Sequence, residues 1–146
     1  MHYDHISFHL SALPVGVPPK HAVHHIGYYF AWAASQNLHS PEAAELPTFN
    51  MMLQGKISGA TFVLSQLHGG IDTTCFNDLG NRFTQYYYAD EDEGYGHFLS
   101  DYFTALGLED EDGFYRVADI PLHQRVLNPV FQAAFDNWHK SLKPFY

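Results

Sequence analysis

Two acidic tetrads hold the densest chemistry in this sequence: Asp90, Glu91, Asp92 and Glu93, then Glu109, Asp110, Glu111 and Asp112. Together they supply half of the 16 carboxylates in a 146-residue chain whose formal charge is −9. They flank a stretch with helical periodicity, and about 12 residues at ~1.5 Å each would hold them roughly 18 Å apart on one rod. Carboxylates near a helix N-terminus stabilise the helix, which accounts for the first tetrad. The second follows a helix C-terminus, where the dipole opposes it, so helix stability leaves it unexplained. Both tetrads therefore point to the docking of a basic protein surface, steered by the carboxylates and held by aromatic contact with Tyr86, Tyr87 and Tyr88. Neither makes a calcium loop: counting from Asp90, Gly94 falls at the fifth position and Tyr95 replaces the turn glycine, and counting from Asp110, Phe114 takes the fifth.

The histidines offer a second chemistry. His21, His24 and His25 stand three and four apart, neighbouring positions on a helix and a conceivable metal face. No carboxylate follows at metalloprotease spacing, and a zinc site needs further ligands and an ordered outer shell. His5 and His9 bracket Ser7 on one face of an expected strand, where alternate residues lie nearly 7 Å apart, too far for a direct nucleophile and base pair. Cys75 has no catalytic signature around it and reads as a buried thiol. There is no phosphate loop, dinucleotide glycine pattern or serine elbow. No catalytic residue, metal or cofactor is expected from these patterns.

The elements that would position these groups follow from periodicity. Residues 3–10 alternate, with Ile6, Phe8 and Leu10 opposite Tyr3, His5, Ser7 and His9, which predicts a strand. The uncharged segment 21–37 carries two adjoining apolar stripes and predicts the central buried helix. Ser40-Pro41-Glu42 opens a helix that Pro47 interrupts and that ends near Gly55. Residues 58–69 are read as a helix capped by Ser58 and stopped by Gly69, although Thr61 to Leu64 alone fit a strand equally well. A further amphipathic helix is expected over 74–88, and another over 95–106 with Gly107 as its left-handed stop. Phe114 to Val117 reads as a strand able to pair with the first, and a long helix from Pro121 carries Val126, Val130, Phe131, Ala134, Phe135 and Trp138, bent or divided at Pro129.

These elements imply an α+β fold, mainly α, with about five or six helices around a central buried helix and a small antiparallel hairpin or sheet. Residues 1–146 suit one domain. With 46% hydrophobic and 16% charged residues the chain can build a core without staples. The negative charge argues against nucleic acid, and no apolar run is long enough to span a membrane. One cysteine and no secretory leader in Met1-His2-Tyr3-Asp4-His5 fit the cytoplasm.

Several landmarks together resemble a family of small bacterial proteins of unknown function. They are Tyr3-Asp4, Pro18-Pro19, HIGYYFAWA from His25, LGNRFTQYYY from Leu79, Ser100-Asp101-Tyr102, Phe114-Tyr115-Arg116-Val117, and Trp138 in the terminal helix. The resemblance spans about Tyr3 to Lys140, implies a shared fold, and carries no catalytic signature. Families of this kind look like cytoplasmic immunity proteins encoded beside antibacterial toxins. Within the pattern His25, Gly27, Trp32, Gly80, Asn81, Asp101 and Tyr102 read as packing and backbone-satisfying positions. The acidic tetrads lie outside it and mark a partner of this chain's own. The leading expectation is thus a non-enzymatic immunity protein that neutralises a cationic toxin. The runner-up is a small enzyme or metal-dependent module using His25 with Asp101 or the cluster at His21, His24 and His25, and a third is a self-associating structural protein.

Overall fold

A computed structural model describes residues 2–89 and 96–142. The architecture is mainly helical with one small antiparallel sheet. Helix α1 (His24–Ser35) occupies the middle, entered through a 3-10 turn at Pro19–Val23, and ten of its twelve residues are buried. A helix apolar around its circumference must be enclosed. On one side lies α4 (Gly59–Gln66), whose Ser58 side chain accepts the Thr61 N–H as the N-cap. Gly27 and Gly59 face each other across this seam, where a Cβ on either would collide with the other helix's backbone. On another side packs the terminal helix α8 (Pro121–Ser141), with Phe131 in ring contact with Tyr29, Trp32 and Phe98.

Around this centre α2 (Pro41–Ala44) and α3 (Phe49–Leu53) are separated at Pro47, as the sequence implies. The stretch 74–88 is three pieces: a 3-10 turn at Thr73–Cys75, α5 (Asp78–Thr84) capped by Asn77, and a π-turn at Gln85–Ala89. Helix α6 (Gly96–Leu106) ends before Gly107 at φ 66°, the stop its sequence predicts. Helix α8 runs undivided through Pro129 and buries Leu127, Phe131 and Phe135, while Val126 is exposed. No helix among the described residues is long and apolar enough to cross a membrane.

The sheet departs from expectation. Strand β1 is only His2–His5, because the His5 ring accepts the Ser7 N–H and turns the chain into a 3-10 turn at Ile6–Phe8. Phe8 and Leu10 are consequently exposed. The partner of β1 is β2 (Gly70–Asp72), pairing Asp4 with Ile71 and His5 with Gly70. Phe114 to Val117 is no strand: the Asp110 side chain accepts the Gly113 N–H and caps the short helix α7 (Glu111–Tyr115).

Candidate functional site

The register of β1 slips between His2 and Asp4, and Tyr3 and Asp4 are both buried where strict alternation would bury one. Tyr3 donates to Asn81 Oδ1 at 2.7 Å. The Asp4 carboxylate gathers four donors. Oδ1 accepts the His5 N–H at 2.8 Å and His9 Nε2 at 2.6 Å, and Oδ2 accepts His25 Nε2 at 2.9 Å and the Tyr88 hydroxyl at 2.6 Å. Each donor arrives on a different device: His9 on the link between two 3-10 turns, His25 on the first turn of α1, and Tyr88 on the π-turn.

Because an ionised carboxylate only accepts, both Nε2 atoms carry the protons. In the neutral Nε2–H form of His9, Nδ1 accepts the Tyr115 hydroxyl at 2.7 Å. Among the described residues Nδ1 of His25 has no hydrogen-bond partner, so its lone pair is the unspent basic site of the cluster. Burial by itself would raise the Asp4 pKa, but His25 and His9, through their charge once acid protonates them and through their hydrogen bonds, hold it well below the usual carboxylate range. Burial lowers the pKa of His25 and keeps the imidazole neutral, while burial and the adjoining carboxylate push the Tyr88 phenol well up.

The cluster opens on a cavity of about 380 Å³. Asp4, His9, His25 and Tyr88 line it along with Phe98, Leu99, Phe103 and Phe114, and the exposed Glu111 of α7 contributes as well. A largely aromatic pocket with a few convergent polar groups is the usual form of a small-molecule site. Asp4, His9 and His25 also place one ligating atom each within 4.8 Å of one another.

The structure rearranges the sites read from the sequence. Tyr87 and Tyr88 are 1% and 5% exposed, so neither offers contact area; the π-turn directs both inward, Tyr87 to Asp101 at 2.6 Å and Tyr88 to Asp4. Tyr86 alone of the three is exposed. Glu109, Asp110, Glu111 and Asp112 are exposed, but the second tetrad opens α7: Asp110 is its N-cap, and Glu111 and Asp112 occupy its first turn. Helix stability therefore accounts for this cluster, contrary to the sequence reading. Asp90, Glu91, Asp92 and Glu93 lie outside the described residues.

His21, His24 and His25 do not converge. The first two meet the carbonyls of Tyr115 and Val117 at 2.8 and 2.7 Å, and the third meets Asp4. Asp101 serves Tyr87 rather than His25. His5 and Ser7 do touch, at 2.8 Å from Nδ1 to Oγ, because the strand stops between them. Cys75 is buried, and that burial raises its thiol to about 11. Gly27 and Asn81 hold the packing and backbone-satisfying roles expected of them, with Asn81 Nδ2 donating to the Thr73 and Phe76 carbonyls.

A family model for a domain of unknown function, DUF7832, matches residues 2–117. The chain belongs to that family. The match takes in Asp4, His9, His25, Tyr88 and Tyr115, so the whole cluster lies inside the DUF7832 span and only α8 falls beyond it. No curated protein and no solved structure matches the chain.

Proposed function

We propose that this chain performs His/Asp-based proton transfer on a small, largely apolar substrate held in the cavity beside Asp4. The observation that carries the reading is the Asp4–His25 pair. A buried carboxylate fixes the proton on Nε2 and leaves Nδ1 as the free basic nitrogen of a residue that lines an aromatic pocket. His9 is held in the same tautomer but spends its second nitrogen on Tyr115, so His25 is the proton acceptor and Asp4 its orienting partner. Nitrogen-15 spectra of the histidines at neutral pH test this. His25 is expected as the neutral Nε2–H tautomer, and small phenols are expected to shift its Nδ1 resonance in the chain but not in a Leu99→Trp variant with the cavity filled. A solvent-exchanged imidazolium at His25, or phenols that leave Nδ1 untouched, would refute the assignment.

The exposed acids Glu109 to Asp112, together with the −9 charge, favour a second reading: an immunity protein that occludes a cationic toxin in the cytoplasm. Glu109, Asp110, Glu111 and Asp112 supply its contact face. Its test is binding to the product of a neighbouring coding sequence that reads as a secreted effector with a variable C-terminal domain. Neutralising Glu109, Asp110, Glu111 and Asp112 to their amides should slow association by about 10-fold or more at low ionic strength. An unchanged rate would exclude electrostatic docking.

A further inference from the structure

Asp4, His9 and His25 present two imidazoles and a carboxylate to one point, the donor set that open catalytic sites use for zinc or iron(II). We infer that these three side chains bind one divalent first-row transition cation at the cavity wall, a deepening that rests on the cavity being the reaction site.

The geometry is close to what such an ion needs. Ligands about 2.0–2.1 Å from a tetrahedral centre stand roughly 3.3 Å apart. The His9 and His25 Nε2 atoms stand 2.6 and 2.9 Å from the two different Asp4 oxygens, and one ligating atom from each residue lies within 4.8 Å of the others, so the three side chains must shift by on the order of 1 Å to centre on one ion. The His9 and His25 rings already meet edge to face, with centroids 4.7 Å apart. An outer shell is in place as well: Tyr88 and the His5 N–H hold the carboxylate, and Tyr115 holds the far nitrogen of His9.

Binding balances without net proton release. From the neutral Nε2–H form of each imidazole, the proton moves from Nε2 to Nδ1 as the Nε2 lone pair and one carboxylate oxygen pair are donated to the ion. The Tyr115 oxygen can accept the new proton on His9 Nδ1. Three protein ligands leave a coordination position open, and a water bound there would have a pKa near 7. Once it had lost a proton to solvent, its hydroxide form would be the proton acceptor facing the substrate, in place of His25 Nδ1, which would then carry a proton.

The test uses tag-free protein, because the chain has 11 histidines of its own. After chelator treatment, cobalt(II) is added and its visible ligand-field bands recorded, followed by calorimetric titration with zinc and, without oxygen, iron(II). One equivalent is expected to bind, with magnesium and calcium silent. His9→Ala, at a half-buried position, should weaken zinc more than about 100-fold, and Tyr115→Phe about 10-fold, the range of outer-shell partners. His21→Ala should change nothing. Circular dichroism checks that each variant folds. Absence of cobalt bands, or zinc binding unchanged in His9→Ala, overturns the cation site. If the cation fails while phenols still shift His25 Nδ1, the cation inference falls and the proton-transfer reading stands. If the cation binds and phenols leave Nδ1 untouched in the metal-free protein, the cation site stands without that reading.

Discussion

Asp4 and Asp112 are both aspartates, and the molecule uses them in opposite ways. Asp4 is buried and surrounded by donors from four separate segments. Asp112 is exposed, and its partner Arg116 sits four residues away at the C-cap of the same short helix, with Nε at 2.6 Å. In a low dielectric a charge commits its neighbours to fixed positions; in water it mostly commits itself to solvent. The lesson for this chain is that the density of carboxylates along the sequence identifies α7's first turn, while one isolated carboxylate organises the cavity.

The sharpest way to break this contrast is Asp4→Ala, which strands two imidazoles, a phenol and an amide. It should lower unfolding stability by about 3–5 kcal/mol, read from urea denaturation. A loss no larger than that of a surface variant would mean the hub is decorative. Tyr88→Phe removes one donor to the charged carboxylate and should cost about 1.5–3 kcal/mol in the same assay.

A third expectation concerns pH. His25 has its pKa lowered on folding, by burial, so the native state resists its protonation and stability declines as pH falls below the ordinary imidazole value of 6.5. Asp4 has its pKa lowered too, because the histidines overcome burial, so its contribution is present above 3.8 and is lost as acid drives the carboxyl through its depressed folded value. Both signs agree. Urea midpoints should therefore drop steadily from pH 7 to pH 3, and the lower part of that slope should be missing in Asp4→Asn.

The smallest effects belong to α7. Asp110→Ala removes its N-cap and should cost about 1 kcal/mol, whereas Asp112→Asn should leave the urea midpoint where it is. A large effect of Asp112→Asn would erase the distinction between the two aspartates.

The helical frame was legible because its signals are local. The doubled apolar stripe of α1, Ser58 before α4 and Gly107 after α6 each sit within a few residues of what they determine. The sheet was not, because β2 is three residues long and β1 four, too few to express a period against the turn chemistry of His5 and Ser7. Phe114 to Val117 has strand composition, yet the Asp110 cap three residues upstream of Gly113 wins locally. Of the site, His25 was read with Asp101, His9 with Ser7 and Tyr88 as outward contact area, whereas all three converge on Asp4, which lies 21 residues before His25 on another element. A signal was present nonetheless: apart from histidines, Asp4 is the sole charged residue before Lys20, so imidazoles were its nearest available counter-groups.

The slip in β1 has a consequence for how this domain can change. A strand that miscounts by one against its neighbour aims two adjacent side chains the same way. Deleting Tyr3 would let His2 and Asp4 pair in step with Asp72 and Ile71, so the carboxylate would keep its place and the tie from the Tyr3 hydroxyl to Asn81 would be lost. The additional residue thus gives the strand a second inward anchor without moving the carboxylate that follows it.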